Sequence, residues 1–126
     1  MDRAQLIEQA GRFVDAFNRN DLDAVMEFFA ADAFYDEFNG RRNVGKAAIR
    51  AAFEPQFNGA FGRMRFLDED LFVDADSGKV MASWRCTLTV KGQATSWRGL
   101  DLLHFADGNL VAKLTYAKAK VPLFQD

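Results

Sequence analysis

The sequence predicts an α+β domain with helices first and an antiparallel meander after them. Apolar residues recur at three- and four-residue steps through Phe57, which is the helical period. From Met64 onward the period becomes two, as in strands with one buried face. Glycine-bearing turns then cut this second part into runs of strand length.

The first helix starts at Asp2, whose side chain caps free N–H groups while Gln5 occupies the capping-box position. Leu6, Ile7, Ala10, Phe13, Val14 and Phe17 mark its buried face. Asn18–Asn20 breaks the pattern, because short polar side chains compete for backbone hydrogen bonds. Asn20 or Asp21 caps a second helix with Leu22, Val25, Met26 and Phe29 inward. Ala33–Phe38 reads as a short strand and Asn39-Gly40 as a turn. Gly45 opens a third helix, KAAIRAAFEPQF, with Ile49 and Phe53 inward, and Pro55 ends or kinks it. Asn58–Gly62 is a glycine-containing loop, a candidate lid over any pocket.

Met64–Val73 is expected as a strand, followed by a turn at Asp74–Gly78. In the next strand Val80, Ala82, Trp84, Cys86, Leu88 and Val90 alternate with Met81, Ser83, Arg85, Thr87 and Thr89. Lys91-Gly92-Gln93 turns the chain into Thr95–Phe105, and Asp107-Gly108-Asn109 makes a tight hairpin into Leu110–Lys118. The 126 residues make one domain, 1–126, which at this size buries about two-thirds of its unfolded surface. No repeat, linker or low-complexity segment interrupts it.

Sixteen basic and 18 acidic residues give a net charge of −2, with no basic excess to steer the chain to nucleic acid or anionic lipid. One cysteine, Cys86, forms no intramolecular disulfide, and with a single histidine, His104, a zinc cluster is not expected. No apolar run approaches the ~20 residues of a membrane span, and no signal-peptide pattern opens the chain. A cytoplasmic protein without metal or other cofactor is the simplest expectation. Phenylalanine stands out, with 13 residues against 2 Tyr and 2 Trp, more rings than a minimal core needs. Those rings line a cavity or form a subunit contact.

Asp101 is the leading candidate for chemistry, because alternation puts it on one face with Trp97, Gly99, Leu103 and Phe105. A carboxyl buried there without a partner stays protonated and donates a hydrogen bond. The alternative is a structural Asp paired with Tyr116 or a backbone amide. Asp36 and Glu37 are adjacent at a strand end, so one of them faces the interior, or both are solvated. Trp84 and Trp97 are placed to wall a pocket or to fill the core, with Tyr116 near the pocket's mouth. His104 falls on the face opposite Asp101, and Cys86 reads as a small core hydrophobe. Arg41-Arg42 is a solvated loop pair or a contact for an anionic group.

The Arg12–Gly40 run, the Gly45-Lys-Ala-Ala-Ile helix start and Asp101-Leu-Leu-His-Phe-Ala-Asp-Gly before the last strand resemble the nuclear transport factor 2-like superfamily. The likeness is to its ketosteroid isomerase and SnoaL-like polyketide cyclase branches, and the element order covers nearly the whole chain. It implies a cone, three N-terminal helices packed in a curved, mostly antiparallel sheet (cystatin-like), with a pocket at the wide end. By resemblance to the isomerase, Glu37, three residues before Gly40, is the general base. Asp101, four residues before Phe105, is the protonated carboxyl that steadies the enolate. The tyrosine that shares that task in the isomerase is matched here by Phe13, so its known route is not expected. The superfamily's epoxide-hydrolase branch uses an Asp–Arg–Asp arrangement, whereas Arg98 and Asp101 point to opposite strand faces here.

The expectation is an apolar pocket for a small hydrophobic or polyketide-like molecule, lined by Phe13, Phe17, Tyr35, Phe53, Trp84, Trp97 and Tyr116. If catalytic, the domain is a cofactor-independent isomerase or cyclase, with lyase or hydrolase chemistry also open. Glu37 or Asp36 would move a proton and Asp101 would hold the oxygen. The alternative is a non-catalytic ligand-binding or dimeric interaction module that works through the outer sheet face. A homodimer is expected under either reading.

Overall fold

The computed structural model describes residues 1–118; the last part of the expected 1–126 domain, residues 119–126, lies outside the described residues. Helix α1 (Arg3–Asn18) begins in the expected capping box, with Gln5 N–H donating to Asp2 Oδ1 and Asp2 N–H to Gln5 Oε1, both at 2.8 Å. Its buried stripe is Leu6, Ala10, Phe13, Ala16 and Phe17. Ile7, expected inward, is exposed at the stripe's edge, and Ala16 takes the inner position.

Asn20 adopts a left-handed φ of 56°, and Asp21 rather than Asn20 caps α2 (Leu22–Glu27) by accepting from Ala24 N–H at 3.0 Å. Phe29 does not belong to that helix; it opens β1 (Phe29–Asp36), which starts and stops earlier than the expected Ala33–Phe38. A three-residue strand, β2 (Arg42–Val44), pairs antiparallel with β1 and is too short to display a period in the sequence. Helix α3 (Lys46–Phe57) carries Pro55 in its last turn and runs past it to Phe57.

The remaining strands are β3 (Arg65–Asp74), β4 (Lys79–Val90), β5 (Gln93–Ala106) and β6 (Asn109–Lys118). Lys91-Gly92 has φ values of 51° and 77°, and Asp107-Gly108 has 53° and 81°. Two successive positive φ values mark the tight hairpin turns that match strand twist. Along β4, Val80, Ala82, Trp84, Cys86 and Leu88 are buried as alternation requires, whereas Val90 at the strand end is exposed.

The sheet is larger than the expected meander: six strands in the order β2-β1-β6-β5-β4-β3, with β1 and β6 parallel and every other pair antiparallel. The helices cover one face. There Phe13 meets Phe17, Phe28 and Phe29 edge-on at centroid distances of 5.1, 5.4 and 5.7 Å.

Two irregularities bend the sheet and position the site. In β3, Asp68 pairs with Trp84 but Leu71 with Ala82, so β3 carries an extra residue, and Asp70 N–H donates to Ser83 Oγ at 2.9 Å. In β6, Leu110 pairs with Phe105 but Ala112 with His104, so Val111 is the extra residue. Past that point the face that turns inward changes parity, from Leu110 to Lys113.

Gly99 lies opposite Trp84, and a methyl group there would sit 2.5 Å from both the Trp84 ring and the Tyr116 carbonyl oxygen. The indole therefore lies across bare backbone. Gly99→Ala is expected to cost about 1–3 kcal/mol through overpacking, read as a lower urea midpoint at an unchanged m-value.

Candidate functional site

Alternation and the β6 bulge bring four strands' side chains to one place inside the sheet. Tyr35 on β1 pairs with Lys113 on β6, Thr115 pairs with Asp101 on β5, and Trp84 on β4 reaches Asp101 from one step along. Asp101 and Lys113 are 9% and 5% exposed. Lys113 Nζ donates to Asp101 Oδ1 at 3.1 Å and to Thr115 Oγ1 at 2.7 Å. The Thr115 hydroxyl donates in turn to Asp101 Oδ1 at 2.6 Å, and Trp84 Nε1–H donates to Oδ2 at 3.1 Å.

Three donors thus converge on Asp101, and the expectation of an acid buried without a partner is corrected. Its partners are neither Tyr116 nor a backbone amide. The reason is the bulge: the parity change points Lys113 and Thr115 inward and Tyr116 outward, where it is 53% exposed. Tyr116, expected to bind substrate, lies on the far side of the sheet.

The ammonium of Lys113 also stands over aromatic rings, 4.5 Å from the Tyr35 centroid, 5.6 Å from Phe53 and 5.8 Å from Phe17. Burial alone pulls the Lys113 ammonium down. The Asp101 charge and hydrogen bond, with Tyr35 and Glu37, outweigh that and hold it above the ordinary lysine value. Burial pushes the Tyr35 phenol up, Lys113 opposes this, and Asp101 and Glu37 add to the rise. Tyr35 stacks on Phe53 at 4.6 Å.

Glu37 is the first residue beyond β1 and opens a turn closed by Gly40 N–H donating to Glu37 O at 2.9 Å. Its parity matches Ala33 and Tyr35, so the carboxylate faces inward, where Asn43 Nδ2 donates to Oε2 at 3.0 Å. Asp36 points the other way and does not line the cavity. It binds Arg42 through two contacts of 2.6 and 2.8 Å, and those hydrogen bonds hold its carboxyl below the ordinary value. Arg42 in turn stacks over Phe34 at 4.3 Å, so this guanidinium, weighed as an anion contact, is engaged on the outer side.

A cavity of about 730 Å³ joins these groups. Its walls include Phe13, Phe17, Tyr35, Phe53, Trp84 and Trp97 from the expected set, and both Glu37 and Asp101. Lys113 and Thr115 line it as well and were not singled out from the sequence. The loop after α3 supplies Ala60, Phe61 and Gly62; a methyl group on Gly62 would sit 2.6 Å from Thr89 O, so bare backbone packs against β4.

Cys86 is fully buried, and burial pushes its thiol up to about 12. His104 lies on the face opposite Asp101, lowered by burial and by Lys79. Arg98, also facing outward, grips Glu69 at 2.8 and 2.9 Å. Among the described residues no group of three or more His, Cys, Asp and Glu side chains could hold a metal ion, and no helix is long and apolar enough to cross a membrane.

A family model described as SnoaL-like domain matches residues 10–113. Among curated proteins, none matches this chain. Among solved structures the chain is similar to a candidate polyketide cyclase from Xanthomonas campestris, at 23% identity and a TM-score of 0.83 over 94% of this chain and 93% of that one. It is also similar to an NTF2-like protein of unknown function from Mesorhizobium loti, at 26% identity and a TM-score of 0.78 over 94% and 96% of the two chains. A third, a protein of unknown function with a cystatin-like fold from Methylobium petroleophilum, shares 16% identity and a TM-score of 0.77 over 97% of this chain and 81% of that one.

Tyr35 and Lys113 both have folded-state values above their ordinary 10.0 and 10.5. A raised folded value stabilises the protein below the unfolded value, and that contribution is lost as pH rises through the folded one. The urea midpoint is therefore expected to hold up to about pH 10 and fall above it. Tyr35→Phe should flatten part of that fall. Lys113→Met strands a buried carboxylate and should cost about 3–5 kcal/mol at neutral pH.

Proposed function

This chain belongs to the SnoaL-like domain family, and from that premise we propose that its aromatic cavity binds a small hydrophobic carbonyl compound and shifts a proton beside the carbonyl. On this reading the curved sheet and helices act as the cone of the superfamily, with the cavity at its wide end. The observation that carries the proposal is that Glu37 and the Asp101–Lys113 pair line one cavity whose other walls are mostly apolar and rich in aromatic rings. Apolar walls hold the carbon skeleton, and the few polar groups orient it.

Glu37 takes a proton from the carbon next to the carbonyl. The C–H electron pair becomes the C=C bond of an enolate, and the negative charge moves to oxygen at the Asp101–Lys113 corner. Return of the proton from Glu37 to another carbon completes an isomerisation; attack of the enolate carbon on a second carbonyl of the same molecule, with that carbonyl's π pair moving to its oxygen and Glu37 returning its proton to the resulting alkoxide, completes a cyclisation. Neither route calls on a cofactor. Asp36 has no part in it, because its carboxylate is held by Arg42 on the outer side.

The test is hydrogen–deuterium exchange at carbon. Aryl ketones and 1,3-diketones are incubated with the protein in deuterated water and followed by mass spectrometry. The chain should accelerate exchange, and Glu37→Gln should slow it by about a hundredfold or more while retaining ligand binding. Exchange equal in the two proteins would leave a binding module without catalysis.

The same proposal includes pairing of two copies through the outer sheet face. Phe72, 66% exposed, continues across the strands into Met81, Leu102 and Leu114 as an apolar row. Light scattering should report a dimer, and Phe72→Glu should convert it to a monomer; a wild-type monomer at high concentration would remove this part of the proposal.

A further inference from the structure

Lys113 has no part in the sequence-derived chemistry, yet it is the buried cation of the cavity wall; Lys91, which also lines the cavity, is exposed on the turn between β4 and β5. An ammonium carries three N–H donors and no acceptor. Two of the three are spent, on Asp101 Oδ1 at 3.1 Å and on Thr115 Oγ1 at 2.7 Å. Among the described residues the third has no protein acceptor, and Lys113 lines the cavity. The rings of Tyr35, Phe53 and Phe17 around it offer π-faces and leave the remaining N–H for an oxygen brought by a ligand.

Asp101 cannot serve as that donor, since it accepts from Lys113, Thr115 and Trp84. We infer that Lys113 is the group that binds the ligand's oxygen, and that the cavity selects apolar molecules whose oxygen is acidic: enols, phenols and enolisable 1,3-dicarbonyls. This rests on the proposed function and deepens it by naming the substrate class.

Charge accounting favours this class over permanently charged acids. Among the groups at least partly shielded from water, Asp101 and Lys113 together are neutral and Glu37 adds one negative charge; Lys91, the other cation of the lining, is exposed, and solvent screens it. A ligand that arrives as a carboxylate would add a second. A neutral enol or phenol hands its proton to Glu37 as its oxygen becomes anionic, so the total charge in the cavity does not change. The Lys113 ammonium then faces the new oxyanion in place of the former carboxylate charge. Burial opposes the ammonium, but the Asp101 charge and hydrogen bond, with Glu37, oppose that at neutral pH, where Tyr35 is still a neutral phenol. The bond from Trp84, whose ring lies across Gly99, and the hydroxyl of Thr115 hold Asp101 still, and Asp101 holds the ammonium. The donor is oriented before the ligand enters.

The experiment uses substituted naphthols of graded acidity, whose neutral and ionised forms absorb at different wavelengths. They are titrated into the full chain at pH 7. Affinity should rise with acidity across the series, and the bound probe should absorb as the naphtholate at a pH below its free value. In Lys113→Met/Asp101→Asn, which removes both charges together, the naphthols should bind in neutral form with no acidity trend. The loss for the most acidic member should be about tenfold or more, the size of a hydrogen bond to a charged group. Lys113→Gln provides a second variant if the double one does not fold.

A wild-type series with no trend and only neutral spectra overturns the Lys113 assignment while leaving the cavity as a binding site. A trend that survives in both variants overturns it as well. Failure of every naphthol to bind the wild-type chain overturns the proposed function itself.

Discussion

One extra residue in β6 decides what the cavity contains. Before Val111 the inward side chain is Leu110, opposite Phe105; after it the inward side chains are Lys113 and Thr115. Side chains on a strand alternate strictly, so a one-residue insertion exchanges the two faces from there on. Had β6 run without the bulge, Leu114 and Tyr116 would face inward and Asp101 would meet no cation. The polar centre of the molecule therefore depends on backbone register more than on any single side chain.

That centre is costly by nature. A buried ion pair gains Coulomb energy but loses the hydration of both charges, and apolar replacements of similar volume are often at least as stable. Here the pair is embedded among Phe17, Tyr35 and Phe53, where water screens it little. Every group around it is committed: Thr115 bridges acid and base, Trp84 takes the second carboxylate oxygen, and Gly99 gives the indole room. So much order around two charges in a cavity wall fits a site that must hold a donor in place. A core with only packing to achieve would be simpler without it.

The fold and the site carry different information. Solved structures with 16–26% identity share the architecture over nearly the whole chain, which is a statement about layers and strand order and not about chemistry. The position matched to the isomerase's tyrosine holds Phe13, which packs edge-on against three phenylalanines and offers no hydroxyl. Lys113, on β6, is a hydrogen-bond donor in the cavity wall that the isomerase comparison does not provide for.

The sequence by itself determined the α+β class, the capping box at Asp2, the turns at Lys91-Gly92 and Asp107-Gly108, and the inward row of β4. Each of these rests on interactions within a few residues of one another, and local periodicity reports them directly. It also placed Asp101 on the inward face, because that residue follows the parity of its own strand, whereas parity alone left Asp36 and Glu37 as alternatives until the register of β1 was fixed. Tertiary structure alone decided that β2 exists, that Phe29 begins a strand, that Asp36 is taken by Arg42, and that Tyr116 faces away while Lys113 faces in. Those outcomes depend on which residue of one strand sits opposite which residue of another, far along the chain. A register set by hydrogen bonds between distant segments leaves no mark in the spacing of either one.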